Sequence, residues 1–179
     1  LPEAVGALRG LRFLYLHGNR LAALPAAFGK LTALIYLNLN NNRFGQLPDS
    51  IGELASLIEL KADGNQLDRL PEFVGRLRNL RELHLRGNQL TTLPAALAGL
   101  TDLRRLYLRQ NCFGELPACI FDLDNLIELD LRDNQLTALP ADRIVALRKL
   151  QKLDLRWNAL SSTAGWRDQL AAQGCVVYV

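Results

Sequence analysis

The stretch LRELHLRGNQLTTLPAALAGLTD, residues 80–102, shows a pattern that runs through the whole chain. With h for an apolar residue, the pattern is LxxLxLxxNxLxxLPxxhGxLxx, and only Ala98 departs from it here by replacing the usual glycine. Copies begin at Leu11, Leu34, Leu57, Leu80, Leu103, Leu126 and Leu150. The sequence therefore predicts an array of one repeated structural unit.

The prolines and asparagines show how regular this array is. Each of the 7 prolines follows a leucine, and neighbouring prolines are 23 residues apart from Pro2 to Pro140. The repeat asparagines keep the same spacing from Asn19 to Asn134, whereas the last step, to Asn158, is one residue longer. This places one inserted residue near positions 142–143.

Each part of the pattern has a physical role. Alternation around LxL predicts a short strand with its leucines inward and the intervening side chains outward. The proline, which fixes φ, suits the first turn of a short helix on the return path. The asparagine is predicted to turn the chain out of the strand and to hydrogen-bond nearby backbone groups. One copy cannot bury its own leucines, so the copies must stack.

This pattern resembles the leucine-rich repeat family along essentially the whole chain. The 23-residue length and the LPxxhG segment are similar to the subtype in intracellular Ras-binding-type and scaffold proteins and in many bacterial leucine-rich repeat regions. The resemblance implies an α/β solenoid of horseshoe shape. Its parallel β-sheet would line the concave side, and short helical or loop segments would form the convex side.

Both ends of the chain differ from the central copies. Residues 1–10 match the second half of an earlier copy, and the sequence contains no methionine, so we expect a fragment or a processed product. We expect repeats over residues 1–160 and a C-terminal cap over 161–179, with Trp166 in the core. The cap segment has no Leu-Pro pair and combines an amphipathic turn with the β-like ending CVVYV.

Composition limits the classes of function. The net charge of +3, from 21 basic and 18 acidic residues, is too balanced to indicate a nucleic-acid or membrane partner. No apolar run approaches the roughly 18 residues that a membrane-spanning helix needs. The sparse cysteines Cys112, Cys119 and Cys175 are expected to be reduced thiols. We therefore expect a cytoplasmic protein, with a secreted effector acting in a host cytosol as the alternative.

Candidate functional residues occupy the outward strand positions, because core leucines fill the inward ones. These positions form three columns across successive copies. The first column holds Phe13, Tyr36, Glu59, Glu82, Arg105, Glu128 and Lys152. The second holds Tyr15, Asn38, Lys61, His84, Tyr107, Asp130 and Asp154. The third holds His17, Asn40, Asp63, Arg86, Arg109, Arg132 and Arg156. The predicted partner-binding residues are Phe13, Tyr15, His17, Tyr36, Asn38, Lys61, His84, Arg86, Arg105, Tyr107, Arg109, Asp130, Arg132, Asp154, Arg156 and Trp157.

The first two copies carry no charge in these columns and bring Phe13, Tyr15, His17 and Tyr36 close together. Exposed aromatic side chains on a rigid surface are typical interface anchors. The alternative is that Phe13 packs against copies upstream of residue 1.

The third column contains an arginine in each of the last four copies. One interpretation is a ladder of internal ion pairs with Asp130 and Asp154. The other is a row of guanidinium groups that binds acidic groups of a partner. Tyr107 and Trp157 flank the row and favour the second interpretation, since tyrosine, tryptophan and arginine are common interface hot spots.

No active site, cofactor or metal is predicted. The octet LDLRDNQL at 129–136 looks like an acid–base or metal site, but its polar residues recur as members of the repeat. The two histidines, His17 and His84, lie three copies apart, roughly 14 Å at strand spacing, so they cannot share a metal ion or a catalytic triad. Asp130 and Asp154, on an open sheet without a pocket, are expected to stay solvated.

The leading hypothesis is a monomeric module that binds a partner protein on its concave face. Two alternatives are the recognition arm of a larger multidomain enzyme, such as a kinase, GTPase or ubiquitin ligase, and a scaffold or dimerisation unit. A nucleic-acid groove is not expected, because such a groove carries charge of one sign, whereas copies three to seven carry both signs.

Overall fold

The computed structural model describes residues 1–162 and 165–179. The described residues contain eight three-residue strands: β1 (Phe13–Tyr15), β2 (Tyr36–Asn38), β3 (Glu59–Lys61), β4 (Glu82–His84), β5 (Arg105–Tyr107), β6 (Glu128–Asp130), β7 (Lys152–Asp154) and β8 (Val176–Tyr178). They form one sheet in which each strand pairs in parallel with the next along the chain. The predicted α/β solenoid with a single parallel sheet is confirmed.

Short helices return the chain between successive strands. The described residues include 3₁₀ helices at Glu3–Ala7, Ala26–Lys30, Asp49–Glu53, Glu72–Arg76, Ala95–Gly99 and Ala118–Asp122. The proline of a Leu-Pro pair precedes each of them, with φ between −76° at Pro2 and −59° at Pro117. The copy with the inserted residue has instead one turn of α-helix, α1 (Ala141–Ile144). An α-helix rises less per residue than a 3₁₀ helix, so the extra residue fits without lengthening the return path.

The inward leucines form one continuous core. The central leucines of β2 to β7 are completely buried: Leu37, Leu60, Leu83, Leu106, Leu129 and Leu153. The corresponding Leu14 of β1 is only partly buried, because β1 is the edge strand of the sheet among the described residues. Each leucine layer is thus covered by its neighbours, as expected for a repeat that cannot bury its own apolar side chains.

The repeat asparagines join neighbouring turns. Asn111 donates from Nδ2 to the carbonyl oxygens of Leu85 at 2.9 Å and Leu108 at 3.0 Å, and its Oδ1 accepts from the Leu90 N–H at 3.1 Å. Asn42, Asn65, Asn88 and Asn134 make the equivalent bonds. The predicted structural role of the asparagine column is confirmed, and these bonds satisfy backbone groups that are shielded from water.

The chain ends with α2 (Trp166–Ala172) and β8. Strand β8 pairs with β7, and Lys152 lies opposite Val176. Trp166 and Leu170 of α2 are buried, so the predicted core position of Trp166 is confirmed. Cys112, Cys119 and Cys175 are free, and burial raises the pKa of the Cys119 and Cys175 thiols to about 11. None of the helices in the described residues is long and apolar enough to traverse a lipid bilayer.

Candidate functional site

Strand register aligns the predicted columns. Phe13 lies opposite Tyr36, and Tyr36 lies opposite Glu59. The same register continues through β7 for both strand columns. Because side chains at corresponding positions of parallel strands point to the same face, the structure brings the two strand columns together on one surface. We call this surface the outward face of the sheet.

An aromatic cluster, defined as Phe13, Tyr15, His17 and Tyr36, lies at the β1–β2 end of the outward face. Ring centroids are 4.9 Å apart for Tyr15 and Tyr36, 6.5 Å for Phe13 and Tyr36, and 6.4 Å for Tyr15 and His17. Phe13 is 51% exposed and Tyr15 is 59% exposed. The cluster is therefore a contiguous aromatic surface open to solvent.

Polar neighbours fix one edge of this cluster. Asn38 donates from Nδ2 to the Tyr36 hydroxyl at 3.2 Å, and its Oδ1 accepts from the Asn40 backbone N–H at 3.0 Å. The Lys61 ammonium lies 5.6 Å from the centroid of the Tyr36 ring. Asn38 and Lys61, two predicted binding residues, thus orient the Tyr36 side chain.

From Glu82 onward, the first column is a ladder of alternating charge. The Arg105 guanidinium is hydrogen-bonded to Glu82 and lies 3.8 Å from Glu128, which also pairs with Lys152 at 2.7 Å. Tyr107 donates from its hydroxyl to Glu128 at 3.2 Å, and burial together with the Glu128 charge raises the pKa of Tyr107 to about 12. Arg105 and Tyr107 are therefore engaged with neighbouring strands, as cross-strand pairing of opposite charges predicts.

The four arginines of the third column, Arg86, Arg109, Arg132 and Arg156, are of two kinds. Arg132 and Arg156 are the first kind. Arg132 donates two hydrogen bonds to Asp130, at 2.9 and 2.5 Å, and its Nε lies 3.4 Å from Asp154. Arg156 donates to Asp154 in the same forked geometry, at 3.0 and 2.7 Å. Burial alone would raise the pKa of Asp154, but the hydrogen bonds and charges of Arg156 and Arg132 hold it below its ordinary value. The internal-ladder interpretation describes these two arginines.

The prediction that Asp130 and Asp154 stay solvated is wrong. Asp130 is 6% exposed and Asp154 only 3%. The arginine two positions further along the chain folds back over each carboxylate and hydrogen-bonds to it.

The outward face also has an open depression of about 270 Å³, where no pocket was expected. It is lined by Asp63, His84, Arg86, Tyr107, Arg109, Glu128, Asp130, Arg132 and Lys152.

Arg86 and Arg109 are the second kind. Within the described part of the chain, no carboxylate lies within ion-pair distance of either guanidinium. Arg86 donates from Nε to the neutral side chain of Gln110 at 3.1 Å, whereas the buried Nε of Arg109 has no hydrogen-bond partner in these residues. The indole of Trp157, 62% exposed, lies with its centroid 5.5 Å from the Cζ atoms of both Arg109 and Arg156.

Sequence reasoning missed a further group of three residues. His84 Nε2 lies 3.6 Å from a Glu59 oxygen and 3.5 Å from a Glu82 oxygen. Burial lowers the pKa of His84, and its ring packs against Tyr107 with centroids 4.4 Å apart. The columns contained the signal, since Glu59 and Glu82 are lateral neighbours and His84 points to the same face two residues after Glu82. The distance between His17 and His84 excludes a site that the two histidines share, but not one that His84 shares with carboxylates.

Comparison with protein families gives three matches, which together cover residues 10–106 and 116–160. Models described as "Leucine-rich repeat region", "Leucine rich repeat" and "Leucine Rich Repeat" match residues 27–106, 116–160 and 10–31. Comparison with curated proteins finds no significant match.

Three solved structures illustrate the similarity of the fold. A leucine-rich repeat protein of Leptospira interrogans is 32% identical, with a TM-score of 0.75 over 100% of this chain. The Arabidopsis thaliana receptor kinase GASSHO1/SCHENGEN3, solved as its ectodomain in complex with Casparian strip integrity factor 2, is 34% identical over 88% of this chain, with a TM-score of 0.74. The plant peptide hormone receptor RGFR1, in complex with RGF2, is 25% identical over 99%, with a TM-score of 0.66. The chain spans 51%, 20% and 37% of the solved chains of these three proteins, respectively.

Proposed function

The chain belongs to the leucine-rich repeat family, and we propose that it is a protein-binding module whose partner docks on the concave, outward face of the sheet. The exposed aromatic cluster is the observation that carries this proposal. Phe13 and Tyr15 stand on the edge strand β1, which pairs with β2, and Tyr36 stands on β2, which is paired on both sides. Little conformational entropy is lost when such a preorganised surface binds.

The aromatic cluster supplies the apolar anchor. Phe13 and Tyr15 each expose more than half of their surface, at 51% and 59%. Covering a large aromatic side chain removes apolar area from water, and tyrosine also offers a hydroxyl for a hydrogen bond. A partner side chain packed against Tyr15 and Tyr36 would gain both contributions.

Arg86, Arg109 and Trp157 supply the second anchor. The two guanidinium groups lack carboxylate partners within the described residues, so each can accept an acidic group without first breaking an ion pair. Arg109 also lies against the exposed indole of Trp157, which would shield a charge-assisted hydrogen bond from water. The preferred partner segment is therefore apolar at one end and acidic at the other.

Solved relatives support this assignment. The GASSHO1/SCHENGEN3 ectodomain and RGFR1 were each determined in complex with a partner, and both share the repeat fold with this chain. We further propose that the module is of the 23-residue subtype and acts as a monomer. A cytoplasmic location fits the three free cysteines, since a reducing compartment keeps thiols reduced.

Site-specific photo-crosslinking tests where the partner docks. A photoreactive phenylalanine analogue replaces Tyr15 on the outward face, and in a matched variant it replaces Arg76, which lies on a return helix with its side chain 68% exposed. Extract of the source cells should give a discrete adduct from position 15 and none from position 76. The same adduct from both positions, or an adduct from position 76 alone, would contradict docking on the outward face.

Affinity measurements with the captured partner test the two anchors. Tyr15→Ala/Tyr36→Ala and Arg86→Ala/Arg109→Ala should each weaken binding at least about tenfold, as expected for interface hot spots. Arg132 is kept, because its loss would leave the buried Asp130 carboxylate unpaired and would change stability instead.

The control for these measurements is Glu53→Ala/Arg76→Ala, which removes an exposed ion pair between return helices. It should bind as the unaltered chain does, and circular dichroism should be the same for all variants. Wild-type affinity in both anchor variants would overturn the proposal.

A further inference from the structure

We propose that Glu59, Glu82 and His84 form a binding site for a divalent transition-metal ion, with Zn²⁺ as the metal best suited to the three ligands. The site lies on strands β3 and β4 of the outward face and does not depend on a protein partner. It combines one imidazole nitrogen with two carboxylate oxygens from adjacent repeats.

The distances between ligand atoms fit a small four-coordinate ion. His84 Nε2 is 3.6 Å from Glu59 Oε1 and 3.5 Å from Glu82 Oε2, and the three ligand atoms lie within 4.8 Å of one another. A tetrahedral zinc site with bonds of about 2.0–2.1 Å places its ligand atoms roughly 3.3 Å apart. The site needs movements of a few tenths of an ångström around His84 to close on the ion, and the two carboxylate oxygens start from a separation of at most 4.8 Å.

His84 offers its Nε2 atom without having to break a hydrogen bond. This atom is buried and has no hydrogen-bond partner in the described residues. The imidazole packs against the Tyr107 ring, which fixes its orientation. A buried nitrogen without a hydrogen-bond partner reduces the stability of the fold. An ion bound between His84 Nε2 and the two carboxylates would remove this cost.

Glu82 is held in position by a group outside the site. The Arg105 guanidinium hydrogen-bonds to Glu82 Oε1, while the other oxygen, Oε2, faces His84. Such outer partners orient metal-binding carboxylates and commonly raise metal affinity. Arg105 can remain in place while Oε2 binds the ion.

Lys61 competes with the metal for Glu59. Its ammonium lies 3.1 Å from Glu59 Oε1, the oxygen that also faces His84. Glu59 and Lys61 are 25% and 28% exposed at their side chains, so the flexible lysine can turn toward solvent when the metal replaces it. Because Lys61 and the metal compete for Glu59, removal of the lysine charge should strengthen metal binding.

The mixed ligand set selects the class of metal. Imidazole favours Zn²⁺ and neighbouring transition metals, whereas Mg²⁺ and Ca²⁺ prefer oxygen ligands alone. Three protein ligands leave the fourth position of a tetrahedral site to water or to another ligand. Because the residues lie on the outward face, that position opens toward solvent.

Cobalt titration of the full chain without an affinity tag tests the site. Co²⁺ replaces Zn²⁺ with a visible spectrum, whose strength separates four-coordinate from six-coordinate geometry. One equivalent should give the intense four-coordinate spectrum, and added Zn²⁺ should abolish it. His84→Ala and Glu82→Gln should each weaken binding at least about 100-fold, since loss of a mere outer-shell partner already costs 10- to 100-fold.

Two further variants separate this site from unspecific binding. Lys61→Met removes the competing charge while keeping a long side chain, and it should bind at least about fivefold more tightly. His17→Ala removes the other histidine and should bind Co²⁺ as tightly as the unaltered chain does. An unaltered circular dichroism spectrum of Glu82→Gln would exclude unfolding as the cause of its weaker Co²⁺ binding.

The opposite results would overturn the proposal. They are the absence of a four-coordinate spectrum, a spectrum that His84→Ala leaves unchanged, or a thiolate charge-transfer band that Cys112→Ser removes. Weaker binding by Lys61→Met would also overturn it, because the lysine would then support the ion rather than compete with it.

Discussion

The side chain of Trp157 reaches back past the repeat that carries Arg132 and places its ring centroid 5.5 Å from the Cζ atom of Arg109. Trp157 has a φ of +61°, at the turn position that Gly18, Gly64 and Gly87 occupy in other copies. A left-handed conformation costs a non-glycine residue about 1–2 kcal/mol. Asn41, Gln110 and Asp133 adopt the same conformation at this position, so it belongs to the repeat turn, but Trp157 is the bulkiest of these residues and its side chain is 62% exposed.

Replacing this tryptophan should separate stability from binding. In Trp157→Gly, relief of the left-handed backbone offsets the loss of two cation–π contacts worth about 0.5–1 kcal/mol each. We expect the free energy of unfolding to change by less than about 1 kcal/mol, while affinity for the partner falls at least about tenfold. Urea denaturation and a binding titration measure the two quantities. A loss of stability above about 2 kcal/mol would show that Trp157 is mainly structural.

The repeat pattern predicted the fold and the columns because both follow from periodicity. A 23-residue spacing with leucines at fixed positions requires that corresponding residues lie side by side, and the pairing of Phe13 with Tyr36 shows that they do. The exposure of the aromatic cluster follows from the same alternation. These features depend on backbone geometry that every copy shares.

Which of the alternative contacts each long side chain makes could not be decided in this way. Arg132 and Arg109 occupy equivalent positions, yet Arg132 covers Asp130 while Arg109 lies against Trp157. The residue between the core leucines decides this difference, since it is an aspartate in one copy and Tyr107 in the other. Periodicity places the arginines, but their rotamers depend on neighbours within and across copies.

The repeat asparagines should be essential only where a preceding repeat supplies their partners. Asn111→Ala removes a side chain that bonds Leu85, Leu108 and Leu90, leaving buried backbone groups unsatisfied. We expect a loss of about 2–4 kcal/mol in unfolding free energy, measured by urea denaturation. The matched control, Asn19→Ala, affects an exposed asparagine that bonds Leu16 and His17 within its own turn, and it should cost less than about 1 kcal/mol. Equal losses would contradict the ladder as the source of stability.

The ion pairs of Asp154 should make stability depend on acidity. The pKa of Asp154 is lower in the folded chain than its ordinary value, so the unfolded chain binds the proton first as pH falls. The stability that Asp154 contributes is fully present above the pKa of its carboxyl in the unfolded chain. It disappears as pH falls through the pKa of that carboxyl in the folded chain. Asp154→Asn should be less stable at neutral pH, and it should lose less stability than the unaltered chain between pH 7 and roughly pH 3. Thermal unfolding across this range tests the difference, with the exposed Asp142→Asn as the control. Parallel pH profiles for the unaltered chain and Asp154→Asn would contradict the assignment.

Close packing of the return helices should make one glycine intolerant of substitution. A Cβ atom at Gly75 would lie 2.3 Å from the backbone oxygen of Ala96 on the next return helix, and backbone cannot move aside as a flexible side chain can. We expect Gly75→Ala to cost about 1–3 kcal/mol in urea denaturation, because the two helices must separate. At Gly45 a Cβ atom would meet nothing within 4 Å, so Gly45→Ala should be neutral or should stabilise by about 0.4–1 kcal/mol through the unfolded chain. If the two substitutions had the same effect, contact between successive return helices would not limit the packing of the repeats.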